Sequence, residues 1–258
     1  MSYDSLRVAV VEHDVSWADP GDNILAVADT LNRVDRRADL VVLPELFSTG
    51  FVTDVTQAHD LAEPSDGKTM DALHRWAKFF GFAIAGSMLV KEDGNLYNRG
   101  FIVEPSGDHT FYDKRHLFTI GGEGRVYTRG EREIPVVRFR GWDIAIAICY
   151  DLRFPTWLLN RGCRYDLLVL PANWPDSRIY AWRQLLIARA IENVAYVAGC
   201  NRQGSDDAGN YPGESLIIDF KGNIISQPSN RPNIRYATLQ KAPLLTFREK
   251  FPVWKDFD

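Results

Sequence analysis

The sequence holds few residues of the type that cross-links a small protein. Three cysteines occur in 258 residues, Cys149, Cys163 and Cys200, and they form no C-x-x-C pair. An odd number of widely spaced cysteines argues against both a disulfide framework and a zinc–thiolate site. We therefore expect all three to be reduced thiols.

Long apolar runs and an excess of basic charge are also missing. No segment approaches the roughly 18 apolar residues that a membrane span requires. The first residues, MSYDSLRVAVVEHD, lack the layout of a secretory signal. The net charge is −4 and the 30 basic residues are scattered, so no basic patch for nucleic acid is evident. We expect a cytoplasmic protein that binds a small molecule and neither membrane nor nucleic acid.

What the sequence does contain is a pattern that occurs twice. Four segments of the first half have counterparts in the same order in the second half. The pairs are RVAVVEHD (7–14) with DIAIAICYD (143–151), ADLVVLPEL (38–46) with YDLLVLPAN (165–173), GFAIAGSM (81–88) with NVAYVAGCN (193–201), and the hairpin-like stretches 98–114 and 214–226. Chance similarity between VLP-ending strands is the alternative, and four matches in one order weigh against it.

Each half is predicted to run strand, helix, strand, helix, strand and hairpin. Apolar periodicity predicts the helices over 22–37, 68–80 and about 177–192. The strands are too apolar for either face of a sheet to be exposed to solvent. Helices should therefore cover one face of each sheet, and the other face should pack against the second sheet. The predicted fold class is α/β, a four-layer αββα sandwich.

The predicted sandwich is a single domain, residues 1–258. Its repeated halves are about 5–130 and 134–240, and an aromatic C-terminal segment, 241–258, follows them. We expect that segment to pack on the body or on a partner subunit, because such apolar residues are rarely left exposed.

Three residues of different chemistry follow predicted strands. They are Glu45, Lys114 and Cys149. Sites of open α/β sheets form at the carboxyl ends of the parallel strands, so these side chains could meet. Singly, each has a structural explanation: a helix-terminal acid, a solvated lysine and a buried thiol. Together they supply a nucleophile and the charged groups that activate it without a histidine.

Three motifs make the chain resemble a known family. The motifs PEL (44–46), DKRHLF (113–118) and CYDLRFP (149–155) resemble the Glu, Lys and Cys motifs of the nitrilase superfamily of carbon–nitrogen hydrolases. Other segments resemble the bacterial omega-amidase branch, which deaminates small monoamides of dicarboxylic acids such as 2-oxoglutaramate, 2-oxosuccinamate and succinamate. These segments are PANWP (171–175), ARAIENVAYVAGCNRQGSD (188–206) and REKFPVWKD (248–256). The turn YPGES (211–215) resembles the aromatic-x-Gly-x-Ser position of the whole superfamily.

The resemblance implies a role for each residue of the predicted site. Cys149 would attack the amide carbonyl and form a thioester, with Glu45 as the proton-transfer group. Lys114 and the backbone N–H of Tyr150 would stabilise the oxyanion, while Glu123 would orient Lys114 and the substrate nitrogen. The family's chemistry needs no cofactor and no metal, and its members are usually homodimers or higher homo-oligomers.

The substrate's second acid group calls for a cation, and Arg153 is the first candidate because guanidinium pairs well with carboxylate. A salt bridge from Arg153 to Asp151 or Glu192 is the alternative. Aromatic walls are expected from Phe118, Tyr127 and Trp174, although core packing explains aromatics more often. His116 is interpreted as a structural histidine.

Three other functions stay open from the sequence. Another amidase of the same superfamily, acting on N-carbamoyl or aliphatic amides, is the nearest. A metal-dependent phosphoesterase of the same architecture would need catalytic histidines at late strand ends, where none of the five occurs. A non-catalytic member of the fold would normally have lost one of the three residues, and all three are present.

Overall fold

Two β-sheets stacked face to face form the centre of the computed structural model, which describes residues 4–228 and 233–257. The strands are β1 (Ser5–Val11), β2 (Leu40–Val42), β3 (Ala83–Glu92), β4 (Asn95–Val103), β5 (His109–Asp113), β6 (Val136–Phe139), β7 (Trp142–Ile146), β8 (Leu167–Ala172), β9 (Tyr196–Asn201), β10 (Gln203–Asp206), β11 (Gly209–Pro212), β12 (Leu216–Ile218), β13 (Gln227–Pro228) and β14 (Ile234–Gln240). The helices are α1 (Pro20–Arg33), α2 (Val55–Leu61), α3 (Lys68–Phe80), α4 (Pro155–Leu158), α5 (Ile179–Asn193) and α6 (Lys241–Lys250).

The two large sheets repeat one arrangement. The first has the order β13-β14-β1-β2-β3-β4-β5, and the second has the order β12-β9-β8-β7-β6. In each sheet three consecutive strands are parallel, β1 to β3 in one and β7 to β9 in the other. Their carboxyl ends therefore lie along one edge of each sheet. The small β10–β11 hairpin stands apart.

The last strand crosses between the halves. β14 pairs antiparallel with β1, so the segment 134–240 does not form one sheet by itself. It covers the open edge of β1 in the way that β6 covers β7. Backbone N–H and C=O groups at a buried strand edge need partners, and β14 supplies them.

Alternating side chains explain the four layers. Val8 and Val10 of β1 face the second sheet and join a core that contains Ile144 and Ile146 of β7. Ala9 of β1 and its odd-numbered neighbours face the other way, onto α1 and α3. Because successive residues of a strand point to opposite faces, a strand buried on both sides reads as a continuous apolar run. The predicted αββα sandwich is confirmed.

The helix bounds follow local capping. α3 matches its prediction, while α1 begins at Pro20, where the Asp19 side chain accepts a hydrogen bond from the Asp22 N–H. It ends before the predicted limit because Val34 is extended. The predicted hairpin over 214–226 contains only one regular strand, β12, with an isolated bridge from Ile218 to Ile224.

The C-terminal segment packs on the second sheet's side of the molecule. Leu244 of α6 is fully buried, and Phe247 lies 5.2 Å from the ring of Phe220. Arg248 forms a buried ion pair with Asp166 at 2.9 Å. Asp258 lies outside the described residues, and contact of this segment with a second subunit stays a prediction. Within 4–228 and 233–257, every helix is too short or too polar to cross a bilayer.

Candidate active site

The three residues singled out at strand ends come together. Glu45 follows β2, Lys114 follows β5 and Cys149 follows β7, and all three line one cavity of about 760 Å³. The first two belong to one sheet and Cys149 to the other. The cavity therefore lies where the sheets' carboxyl edges meet, as expected for parallel strands.

Lys114 is the centre of a buried ionic cluster. Its Nζ lies 2.7 Å from Glu45 Oε1 and 2.9 Å from each carboxylate oxygen of Glu123. All three side chains are at most 1% exposed. Burial alone would lower the pKa of Lys114, but the two carboxylates outweigh it and hold that pKa well above its ordinary value. The lysine is thus a fixed ammonium.

The second carboxylate fastens the loop that follows Lys114. Glu123 begins a short 3₁₀ turn, and one of its oxygens accepts the backbone N–H of Phe118. Burial raises the pKa of Glu123, while the Lys114 ammonium opposes that rise. Glu123 therefore connects the position of Lys114 to the position of the cavity-lining Phe118.

Asn98 is a member of the cluster that the sequence reasoning missed. Its Nδ2 donates to Glu45 Oε1 at 2.8 Å and to Glu123 Oε1 at 3.1 Å. Its backbone carbonyl accepts the N–H of Lys114. A donor shared by two carboxylates reduces their mutual repulsion. The available signal was a polar pair, Asn98 and Arg99, directly before the apolar end of strand β4, at the sequence NRGFIV.

The two oxygens of Glu45 have different neighbours. Oε1 is taken by Lys114 and Asn98, whereas Oε2 accepts the backbone N–H of Asn173 at 2.9 Å. Burial raises the pKa of the Cys149 thiol well above its usual value, and the adjacent Glu45 carboxylate adds to this. Lys114 and the Asn173 N–H act in the opposite direction. The surroundings therefore favour the protonated thiol, and a neighbouring base would be needed to form the thiolate.

Cys149 stands on a sharp turn. It has a left-handed backbone, with φ of 43°, and begins a short 3₁₀ helix that runs to Arg153. A non-glycine residue in this region costs about 1 to 3 kcal/mol, and such strain persists only where neighbours enforce it. The first N–H groups of a helix have no partner within it, so the N–H of Tyr150, the residue after Cys149, is not used inside the helix.

Asp151 provides much of that enforcement. Its Oδ2 accepts the N–H of Ile148 at 3.0 Å and the hydroxyl of Tyr112 at 2.9 Å. Its Oδ1 binds both the backbone N–H and Nδ1 of His116, at 2.9 and 2.8 Å. His116 also stacks on Phe154. It thus has a structural role, joining the cysteine turn to the lysine loop.

A buried arginine supports the same turn from behind. Arg189 of α5 donates from Nε and Nη2 to the carbonyl of Leu152, at 3.1 and 2.8 Å. It also forms an ion pair with Glu192 at 2.7 Å. Because Glu192 is held by Arg189 and Asp151 by the bonds above, neither residue serves as the salt-bridge partner considered for Arg153.

The predicted walls of the cavity are only partly in place. Phe118, Trp174 and Arg153 line it, and the Arg153 guanidinium lies 5.0 Å from the centre of the Trp174 ring. Tyr127 is not among the described lining residues: it is buried, and its hydroxyl donates to the carbonyl of Val52. The position of Tyr127 in the sequence, close to Glu123, could not show whether its side chain lines the cavity or packs behind the residues that do.

A second cation of the cavity was not predicted. Arg178 lines it and lies 5.1 Å from the ring centre of Phe118. Among the described residues, neither Arg153 nor Arg178 forms an ion pair with a carboxylate. In that same part of the chain, no three His, Cys, Asp or Glu side chains are grouped as a metal site. The cavity thus combines a buried ionic cluster with two guanidinium groups that form no ion pair within the described part of the chain, and Asp207 also lines it.

Comparison with known proteins gives matches over nearly the whole chain. The carbon-nitrogen hydrolase family model matches residues 7–248. The chain is 41% identical over 255 residues to omega-amidase YafV of Escherichia coli strain K12, covering 98% of this chain and 97% of that protein. It is 32% identical over 252 residues to the 2-oxoglutaramate amidase of Bacillus subtilis strain 168, with 96% of each covered.

A solved structure agrees with the fold. XC1258 from Xanthomonas campestris superposes with a TM-score of 0.92 at 37% sequence identity, covering 98% of this chain and 97% of that one. It is described as a CN-hydrolase superfamily protein with an arsenic adduct in its active site. The range that the family model matches, 7–248, includes all three strand ends that form the cluster.

Proposed function

The chain belongs to the carbon–nitrogen hydrolase family, and from that membership we propose that it is an omega-amidase that releases ammonia from small monoamides of dicarboxylic acids. The resemblance to the nitrilase superfamily is confirmed, and the chain is a hydrolase of linear amides. Its proposed substrates are 2-oxoglutaramate, 2-oxosuccinamate and succinamate. One observation carries the proposal: a Glu45–Lys114–Cys149 cluster opens into a cavity that is also lined by two guanidinium groups without an ion-pair partner among the described residues.

In the first half of the proposed reaction Cys149 becomes acylated. Glu45 takes the thiol proton, and the sulfur attacks the amide carbonyl carbon. The oxygen that becomes negative is stabilised by the N–H of Tyr150 and by the Lys114 ammonium. All three N–H groups of that ammonium face Glu45 and Glu123 in the resting site, so one of them has to turn to the oxyanion. Each such donor contributes about 3 to 4 kcal/mol in known oxyanion holes. Glu45 then passes the proton to the nitrogen, the C–N bond breaks, and ammonia leaves a thioester behind.

In the second half water releases the acid. Glu45, again a carboxylate, takes a proton from a water molecule that attacks the thioester carbonyl. The C–S bond breaks, the thiolate regains the proton, and the dicarboxylic acid departs. Glu123 keeps Lys114 in place throughout. Both oxygens of Glu123 accept hydrogen bonds from Lys114 Nζ, and the bond from the Phe118 N–H fixes the position of the Glu123 carboxylate.

The proposed function predicts ammonia release from 2-oxoglutaramate and succinamate by the purified protein. We expect activity without added metal and unchanged activity in the presence of a chelator. The measurement is a coupled ammonia assay over a panel that also contains N-carbamoyl amino acids, neutral aliphatic amides and nitriles. Release of ammonia from another group of the panel, with none from the two acid amides, would replace the omega-amidase assignment by that of another amidase.

The acid end of the substrate is expected to bind Arg153. Arg153→Ala should raise KM for 2-oxoglutaramate by about 10- to 100-fold with little change in kcat, because a hydrogen bond to a charged group contributes about 1.5 to 3 kcal/mol. The KM of a neutral amide such as butyramide should not change. Steady-state kinetics of both substrates measure this.

Two further variants sharpen that prediction. Arg178→Ala measures how much the second cationic residue of the cavity contributes to binding the substrate's carboxylate. Arg138→Ala is the matched control, since Arg138 is exposed and pairs with Asp143 away from the cavity. Equal losses for the charged and the neutral amide in Arg153→Ala would mean that this side chain shapes the cavity without binding the carboxylate.

A further inference from the structure

The side-chain amide of Asn173 is buried in the active site without a partner. Both its Nδ2 and its Oδ1 are buried and make no hydrogen bond to the described residues, and Asn173 lines the cavity. Nearly all buried polar groups of folded proteins are hydrogen-bonded, because an unpaired one costs about 1 to 3 kcal/mol. A donor and an acceptor left unpaired together on one side chain call for a ligand.

The backbone of Asn173 fixes where that ligand must be. Its N–H donates to Glu45 Oε2, the oxygen that Lys114 and Asn98 leave unoccupied. In the proposed reaction this carboxylate delivers the proton to the leaving nitrogen. The nitrogen therefore has to come within hydrogen-bond distance of Glu45. The side chain of Asn173 belongs to the same residue whose N–H binds Glu45 Oε2, so it extends from a point close to that nitrogen.

The segment that carries Asn173 is held firmly. Asn173 follows β8 directly. The next residue, Trp174, forms two hydrogen bonds with the side chain of Asn201. Asn201 Oδ1 accepts the N–H of Trp174 at 2.7 Å, and Asn201 Nδ2 donates to the carbonyl of Trp174 at 2.8 Å. The backbone from which the Asn173 side chain extends is therefore fixed, which lowers the cost of ordering this residue when a substrate binds.

We propose that the carboxamide of Asn173 recognises the substrate's primary carboxamide, with Oδ1 accepting an N–H of the leaving nitrogen and Nδ2 donating to the carbonyl oxygen. One substrate group then satisfies both unpaired atoms. The inference rests on the proposed function and adds the residue that selects an amide. An ester offers the carbonyl oxygen but no N–H, so it leaves Oδ1 unpaired, and such a loss discriminates strongly between substrates.

The test compares a primary amide with the methyl ester of the same acid. Succinamate and monomethyl succinate give the same thioester, and kcat/KM reports the acylation step in which they differ. In Asn173→Leu and Asn173→Ala the amide-to-ester ratio of kcat/KM should fall by about 10- to 100-fold. A ratio that changes by less than about 3-fold, whatever the absolute loss, would overturn the proposal. If wild type cleaves another amide instead of succinamate, the proposed substrate class fails, and the ratio is measured on that amide and its ester.

Thermal unfolding provides an independent readout. Removing a polar group that has no partner should leave the unfolding midpoint of Asn173→Leu unchanged or raise it. The matched control is Asn160→Leu, because Asn160 is equally polar, fully buried and bonded to Tyr165 and Asn193. Its midpoint should fall. An equal fall in Asn173→Leu would show that the amide is needed for folding and would contradict the proposal.

Discussion

Cys149→Ala is expected to reduce ammonia release by about 10⁴-fold or more, the loss seen when a covalent nucleophile is removed from a concerted site. No other thiol can replace it. Cys200 lies between the sheets, with its Sγ within 3.3 Å of the carbonyls of Val11 and Val42, and Cys163 is outside the lining of the cavity. Ammonia release in the presence of saturating substrate measures the effect.

Two controls distinguish the loss of Cys149 from the general loss of a thiol group. Cys163→Ala removes the most accessible cysteine and should keep full activity. Brief treatment of the wild type with iodoacetamide, followed by mass spectrometry, should show activity lost in proportion to the label on Cys149. Turnover that survives in Cys149→Ala would refute the thioester mechanism.

The repeat could be predicted because the sequences of corresponding strands in the two halves are similar. Val8 pairs with Leu40 in the first sheet, and Ile144 pairs with Leu167 in the second. This register makes His13 the counterpart of Cys149 and Ala172 the counterpart of Glu45. The framework is therefore repeated, while the reactive residues are not. The proposed site is a composite in which one sheet supplies Glu45 and Lys114, and the other supplies Cys149.

What the sequence could not predict depends on long-range pairing. The assignment of β14 to the first sheet is decided by the open edge of β1, more than 200 residues earlier in the chain, and no local pattern encodes that choice. Asn98 and Tyr127 show the same limit for single side chains. A polar residue in a strand and an aromatic in a loop have a meaning only once their neighbours are known.

The second large effect is expected at Lys114. Lys114→Met keeps the side chain's length but removes the cation that lies between two buried carboxylates. Breaking a buried ion pair by removing one partner costs about 3 to 5 kcal/mol, so the free energy of unfolding should fall by that amount. Turnover should fall by about 10²- to 10³-fold, with a smaller change in KM, because the oxyanion loses a donor.

The stability effect and the catalytic effect can be separated, because they depend on different partners of Lys114. In Lys114→Met/Glu123→Gln one of the two facing carboxylates becomes a neutral amide, so most of the lost unfolding free energy should return. Turnover should stay low, because glutamine at position 123 supplies no cation to the oxyanion. Urea unfolding and kcat, measured on the same three proteins, test both expectations. Recovery of kcat together with stability would mean that Lys114 serves the site only by neutralising Glu45 and Glu123, and the oxyanion role would have to pass to the N–H of Tyr150.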